Sequence, residues 1–547
     1  MLQITIPNDN PSTLSNQTIT VRISHDLLIV IASFMIAVVG YFFTEKIPIG
    51  NGLGWDGQVY GALAKGEFLN PGESPLDRYR IQRILPSIIV FTGLKLFRMA
   101  LTDQHILASF GLLNIFCITS VGWCWIKTAT LMSISSRGKW LGFCALILNF
   151  AVAKHTSYYP VLTDIPAYAI GCWMLYFYMS RSYWSLFLIT GLGAFVWPLL
   201  MFQGSLLLLF PRPVSPTKDS CQSATVRFPR SGLNVCFAGL VTFYLLVAIH
   251  WSVGHAHLPI CGCITPSTTV FPLSIEIVAV YVFFILMRMI DVAQCVEALV
   301  GLLVRDWRRL VALILMIGTI RVIYATWAPL TGNSGAKQYL LFLFIKSVYK
   351  PGVFLLGHAV YFGPIIPLVV LLWTRVSREI QQTGIGISLA MTMGLLLSLD
   401  GESRHLNHAF PLIVPFAILA IERLKWNMRH TMTFVGFSAF ASKFWMTINS
   451  PGFESGSNML EFPMQGYTMN YGVLMNNQTY VIQGTIALAM TLFLFQFIRS
   501  SESANTQLSV NRLRDDPSAR RNRLTWRSDE EFFNEIITSQ VSGKTGI

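Results

Sequence analysis

The sequence predicts an all-α fold, a polytopic transmembrane helix bundle of about 12–14 spans, from three observations. Hydrophobic residues make up 53% of the 547 positions and charged residues only 12%, where a soluble domain carries about a quarter charged residues. The mean hydropathy is +0.54. The apolar residues also fall in blocks about as long as a bilayer's hydrocarbon core is thick, too long and too uniform for barrel strands. Unpaired backbone groups are costly in hydrocarbon, so such blocks must be helices. A soluble enzyme is excluded. The formal net charge of +13, from 40 Lys and Arg against 27 Asp and Glu, points to basic loops facing anionic lipid, with no nucleic-acid partner.

In chain order, residues 1–25 form a polar segment expected on the cytoplasmic side, and the run after it is too long for a cleaved signal peptide. Apolar runs follow near 26–45, 85–101, 106–128, 139–154, 163–180, 183–210, 233–253, 271–290, 310–327, 352–374, 383–399, 405–422, 430–446 and 480–498. We divide them into a module over 26–330, with a first outside loop at 46–84, and a C-terminal set of helices over 331–499. Residues 500–547 are charged and poor in apolar side chains, which reads as a disordered cytoplasmic tail, with 528–540 able to form one short amphipathic helix. Nine cysteines are scattered, five of them inside apolar runs, so no disulfide framework is expected.

Loop charge sets orientation. Arg212, Lys218, Arg227 and Arg230, then Arg305, Arg308 and Arg309, then Arg375 and Arg378, then Arg423, Lys425 and Arg429 all read as cytoplasmic. Loops near 328–350, 400–408 and 447–479 then lie outside. In the first half, counting forward from an inside N-terminus leaves 155–165 inside, while Arg137 and Lys139 indicate the opposite. One run must therefore be short, split or re-entrant; 183–210, with Gly191, Gly193 and Pro198 in its middle, fits best.

The first outside loop concentrates the chemistry. It holds Gly54-Trp55-Asp56-Gly57-Gln58-Val59-Tyr60, then Asp77-Arg78-Tyr79-Arg80-Ile81-Gln82-Arg83-Ile84-Leu85-Pro86. Glycines on both sides of Asp56 allow a sharp turn that presents the carboxylate, with Gln58 and Tyr60 as its expected supports. Arg80 and Arg83, three apart, are expected to share one face and to suit a phosphate or Asp56 itself. A plainer reading makes Asp56 a helix cap and the arginines snorkelling side chains. Against it stands the pairing of a proton-accepting carboxylate with guanidiniums at the depth where a lipid phosphate meets water.

The strings Trp55-Asp56-Gly57-Gln58-Val59-Tyr60 and Tyr79-Arg80-Ile81-Gln82-Arg83-Ile84-Leu85-Pro86 resemble the first-loop pattern of multi-spanning bacterial GT-C-like glycosyltransferases. Leu162-Thr163-Asp164-Ile165-Pro166 is similar to that family's second acidic motif, where Glu is frequent. Gly193-Ala194-Phe195-Val196-Trp197-Pro198 resembles the half-span that follows but lacks the family's Arg, and Glu402-Ser403-Arg404-His405 before Pro411 resembles the late motif. The resemblance runs over roughly 26–425. It implies transfer of a sugar from a polyprenyl-phosphate donor to a glycan, lipid or protein acceptor at the extracytoplasmic face. Asp56 would be the general base, Asp164 its support, and Arg80, Arg83 and Arg404 the cations for the leaving phosphate, with Glu402 in the wall. No Asp-x-Asp or Glu-Asp pair stands beside Asp56, so a divalent metal is not indicated and cofactors stay open. The family tilts the location to a plasma (inner) membrane, although an endoplasmic reticulum membrane fits the spans equally.

Other readings stand beside these. Asp164 equally fits an N-cap with Pro166 in the first turn, and Glu402 with Arg404 an interfacial ion pair. His250, His255, His257, Cys261 and Cys263 offer zinc-type donors at spacings that match no common site. Arg321, inside an apolar run, is a partner for Glu276 or for a lipid phosphate. Lys337, Lys346 and Lys350 with Tyr339 and Tyr349 form a basic, aromatic stretch suited to guiding a lipid headgroup. The competing functions are a secondary transporter or lipid flippase, and a silent relative that binds lipid-linked sugar.

Overall fold

The computed structural model describes residues 2–5, 18–21, 24–69, 76–213, 231–254, 270–328, 336–424, 426–449, 475 and 477–515. Their regular structure is helical, as predicted, apart from one antiparallel pairing of Leu2–Thr5 with Thr18–Val21. Six helices are long and apolar enough to cross a membrane: His25–Phe43, Asp103–Leu131, Gly232–Val253, Phe271–Met289, Trp307–Trp327 and Asn477–Ser501. Shorter apolar helices of 10–17 residues stand among them, including Leu85–Leu96, Tyr183–Gly193, Pro198–Leu209, Val353–Phe362, Ile385–Leu397 and Phe410–Glu422. This is the architecture of an integral membrane protein.

Small residues set how closely the helices approach. His25–Phe43 runs antiparallel to Asp103–Leu131, and a Cβ at Gly122 would stand 2.3 Å from Ser33 Oγ, one at Gly111 2.1 Å from the Tyr41 ring. Helix Ser136–Ile147 packs back on Asp103–Leu131 in the same way, with Trp125 over Gly142 and its indole N–H donating to Lys139 O at 2.8 Å. Between lipid-solvated helices such close packing supplies the association energy that hydrophobicity does not. We predict that Gly142→Val, whose Cβ would lie 2.0 Å from the Trp125 ring, lowers stability by about 1–3 kcal/mol, read as a fall in the thermal midpoint in detergent.

Contacts define two ends of the bundle. At one, Lys139 pairs with Asp26 at 2.9 Å, Arg137 donates to Trp426 O at 2.5 Å, Glu422 accepts from Ser135 N at 2.9 Å, and Arg423 pairs with Glu379. At the other, Lys154 pairs with Glu45 at 3.0 Å and Lys65 with Asp103 at 2.8 Å, while Ile47 N donates to Tyr158 O at 2.8 Å.

One expectation changes here. The run 85–101 is not a span: helix Leu85–Leu96 has 12 residues, about 18 Å of rise against about 30 Å of hydrocarbon, and the chain stays at the end where it began, with Asp103 tied to Lys65 and Asn51. The run 183–210 is two limbs, Tyr183–Gly193 and Pro198–Leu209, folded into a hairpin in which Gly204 meets Thr190 and Gly193 meets Leu200. Both feet of the hairpin close at one end, where Arg212 Nη1 donates to Met179 O at 2.9 Å. With the first run staying at one end and the second folding from the other end toward it and back, Arg137, Lys139, Arg212 and Arg423 share one end, and 155–165 joins the end that carries Asp56.

The last helix runs Asn477–Asp515, so residues 500–515 of the expected disordered tail extend a helix. Residues 516–547, the segment 528–540 among them, lie outside the described residues, as do His255, His257, Cys261 and Cys263. Among the described residues Cys117, Cys124, Cys144, Cys172, Cys236 and Cys295 are all free thiols.

Candidate functional site

The Asp56 turn is built from glycine and aromatic packing. Gly54 has φ +76°, and a Cβ there would strike the Tyr159 ring at 2.3 Å. Gly57 lies under the same ring and donates its N–H to Tyr159 Oη at 3.1 Å. Only glycine fits this approach with a positive φ. The turn starts helix Trp55–Ala64 with Asp56 in its first turn, where the helix dipole favours a carboxylate. Its side chain is 47% exposed.

Opposite it stands the loop between helices Ile385–Leu397 and Phe410–Glu422, a stretch of 12 residues rich in charge. Arg404 Nη1 donates to Asp56 Oδ2 at 3.2 Å while its Nε donates to Glu402 Oε1. Lys346 Nζ, from helix Ala336–Val348, lies 3.2 Å from Asp400 and 3.4 Å from Glu402. His405 Nδ1 bonds Asp400 Oδ2 at 2.8 Å. His358 braces the loop from beneath, with Ser403 Oγ at 2.8 Å and Ser398 O at 2.7 Å. Cation and anion therefore alternate from Lys346 through Glu402 and Arg404 to Asp56.

Burial opposes ionisation of Glu402, but Arg404, His405 and Lys346 outweigh it and hold the carboxyl well below the usual carboxylate range. Asp400 is likewise held below that range, its burial outweighed by His405 and Lys346. The two acids in turn raise Lys346 above its ordinary value although burial pulls it down.

Arg83 lies alongside. It is 5% exposed and clamped between rings, its guanidinium carbon 3.8 Å from the centre of Trp197 and 4.3 Å from that of Tyr79. Beside it lies the Tyr60 hydroxyl, which burial pushes up to about 12 and so keeps protonated. Among the described residues no carboxylate pairs with Arg83, and its Nε has no hydrogen-bond partner. Trp197 sits at the tip of the split hairpin and also stacks on His408, with ring centroids 6.2 Å apart. That tip is fixed by Leu85 N donating to Phe195 O at 2.9 Å and Tyr324 Oη donating to Ala194 O at 2.6 Å.

Asp164 is buried at the start of helix Asp164–Met179, accepts from Asn407 Nδ2 at 3.2 Å, and faces a small cavity lined by Asn114, His155, Thr156 and Tyr159. The N-cap of that helix is Thr163, and Asp164 itself is the first helical residue with Pro166 behind it. The structure thus gathers Asp56, Tyr60, Arg83, Asp164, Glu402 and Arg404 at one end of the bundle.

Two expected members stand apart. Gln58 is exposed and packs toward Gly50, because the helix turns it away from Asp56, so it does not support that carboxylate. Arg80 does not share a face with Arg83: Asp77, which accepts from the Tyr79 and Arg80 amides at 2.9 and 2.7 Å, also pairs with the Arg80 side chain at 3.2 Å. Glu276 does not meet Arg321 either; no ion pair involves Arg321 among the described residues. Asp400, His405, Trp197 and Tyr159 were not read from the sequence as site residues. Asp400 had a visible signal, an acid two positions before Glu402; Tyr159 and Trp197 look like ordinary span-end aromatics until the fold brings them to Gly54 and Arg83.

Ligand atoms of Asp400, Glu402 and His405 all lie within 4.8 Å of one another, a donor set suited in kind to a divalent cation. The place between the two carboxylates is filled by the Lys346 ammonium, which with Arg404 already balances them, so these residues do not fit a metal in this arrangement. Comparison with known proteins finds no matching family model, no matching characterised protein and no matching solved structure. The class defined by fold and site is a multi-helix membrane protein with a charged cluster at one end.

Proposed function

We propose that the chain is a membrane glycosyltransferase that moves a sugar from a polyprenyl-phosphate donor to an acceptor hydroxyl at the extracytoplasmic face. The observation that carries this reading is Arg83: a buried guanidinium without a carboxylate partner among the described residues, near Arg404 and across from the half-exposed Asp56. An unpaired buried cation is costly, and an anionic ligand removes that cost. A phosphate ester suits two guanidiniums better than a carboxylate does, because its several oxygens accept forked donors from both.

In the reaction, Asp56 takes the proton of the acceptor hydroxyl as the new C–O bond forms at the anomeric carbon. The bond from that carbon to the phosphate oxygen breaks, and the lipid phosphate leaves with the electron pair, its charge met by Arg83 and Arg404. Glu402 holds Arg404 in place from its other edge, and Asp164 with Asn407 shapes the floor. The cytoplasmic assignment of the opposite end, which carries Arg137, Lys139, Arg212 and Arg423, supports an outer location for this chemistry. The membrane is expected to be a plasma (inner) membrane.

The test is transfer by purified protein offered a panel of radiolabelled polyprenyl-phosphate sugars and candidate acceptors. Arg83→Gln should lower kcat/KM by roughly 100-fold or more, the size of effect seen when one fixed transition-state donor is removed. If the Gln variant transfers at the wild-type rate, the leaving-group assignment is wrong; a sugar crossing the membrane without bond formation would mark a transporter instead.

A further inference from the structure

Helix Trp307–Trp327 carries an arginine where none is needed for the bundle. Arg321 is exposed, its neighbours Val322 and Ile323 are exposed too, and Leu315 and Trp327 on the same helix are 65% and 54% exposed. The surface is what a lipid-facing helix presents, and only a small share of this span is buried inside the protein. A cation on such a surface is expensive unless it meets an anion, and among the described residues no carboxylate pairs with it.

The helix is not remote from the charged cluster. Met316 lies against Gly191 on the first limb of the hairpin, and one face of the helix reaches the tip, where Tyr324 bonds Ala194 O and meets Phe195 edge to face with ring centroids 5.4 Å apart. The same helix touches the Ile81–Arg83 turn. Arg321 stands three residues before Tyr324, about 4.5 Å lower along the axis. The cation therefore sits on the lipid side of the wall whose inner side holds Trp197 and Arg83.

We infer that Arg321 binds the phosphate of a bilayer lipid, with Leu315, Val322 and Trp327 against its chains, at a lateral approach to the Arg83–Asp56 cluster. The binding stands on the exposed charge and its apolar surround; its role as an approach rests on the transferase reading above. The ligand class is a phosphate carrying long hydrocarbon chains, because free phosphate gains nothing from the apolar wall.

The experiment uses the full chain, delipidated in detergent and titrated with dioleoyl phosphatidic acid, with dioleoylglycerol and inorganic phosphate as separate arms, and counts bound lipid by native mass spectrometry. Wild type and Arg321→Lys are expected to retain one phosphatidic acid tightly, while Arg321→Leu loses roughly ten-fold or more in affinity. Leucine suits a lipid-facing helix, and an unchanged thermal midpoint verifies that the variant folds. Arg305→Leu, at the other end of the bundle, should bind as wild type does. Equal retention by Arg321→Leu, equal loss in Arg305→Leu, or displacement of the lipid by an equal concentration of inorganic phosphate overturns the site. No transfer step enters this readout, so a protein that binds lipid at Arg321 and transfers nothing would sink the transferase reading and leave this one standing.

Discussion

Replacing Asp56 with Asn is expected to cut sugar transfer by about 100- to 10,000-fold while leaving the fold intact, the range that removal of a positioned general base produces. The amide keeps the shape of the carboxylate and can still accept from Arg404 Nη1, now 3.2 Å away, so the turn on Tyr159 should hold. What disappears is the capacity to take a proton. The loss should fall on kcat with little change in KM for the donor, since Asp56 meets the acceptor and not the phosphate. Transfer by the Asn variant within a few-fold of wild type, with the protein folded by thermal melt, would remove Asp56 from the chemistry and return it to the role of a helix-start carboxylate.

The second large effect concerns the ion chain. Lys346→Met is expected to destabilise the protein by about 3–5 kcal/mol, because it strands two acids that are 98% and 86% withdrawn from solvent with one countercharge fewer. The pH dependence follows from the directions of the shifts. Asp400 and Glu402 have folded values below the unfolded ones, so their contribution is present above about pH 4 and is lost as pH falls through the lowered values. Lys346 has a raised folded value, so its contribution is present below about pH 10 and is lost as pH climbs through that value. The contribution of this ion chain to wild-type stability should therefore be flat between these limits. In Lys346→Met the acids lose a cation and move up, so the defect should shrink on acidification toward pH 5. A defect independent of pH would mean that packing, and not charge, sets the cost.

How much of this could be read from residues alone follows from the physics of each signal. Spanning helices were legible because hydrocarbon thickness imposes a length, and His25–Phe43, Phe271–Met289 and Trp307–Trp327 lie close to the runs expected. The run at 85–101 misled because hydropathy measures solvent preference and not direction: helix Leu85–Leu96 is apolar since it lies against Trp55–Ala64 and Asp103–Leu131, not because it crosses. The break at 194–197 was legible from Gly193 and Pro198, and the structure gives it a consequence, the placement of Trp197 on Arg83.

The site divides in the same way. Asp56, Arg83, Glu402 and Arg404 were visible as charges that polar loops at a membrane surface seldom hold without reason, and the fold unites them across 348 residues of separation. Gln58 and Arg80 were misplaced because sequence spacing does not tell which way a short helix faces or which acid captures an arginine. Lys346 joins the cluster through a contact between a distant helix and the 398–409 loop, which no local pattern encodes.

The hairpin of Tyr183–Gly193 and Pro198–Leu209 also constrains biogenesis. Neither limb, at 11 and 12 residues, is long enough to be retained as an independent membrane anchor, so each would slip back out of the translocation channel alone. The two must leave the channel laterally as a pair, after Asp164–Met179 is already seated to receive them. The ribosome thus has to deliver about thirty residues before any of that stretch becomes committed to lipid, and the half-made cluster stays open to water for that interval.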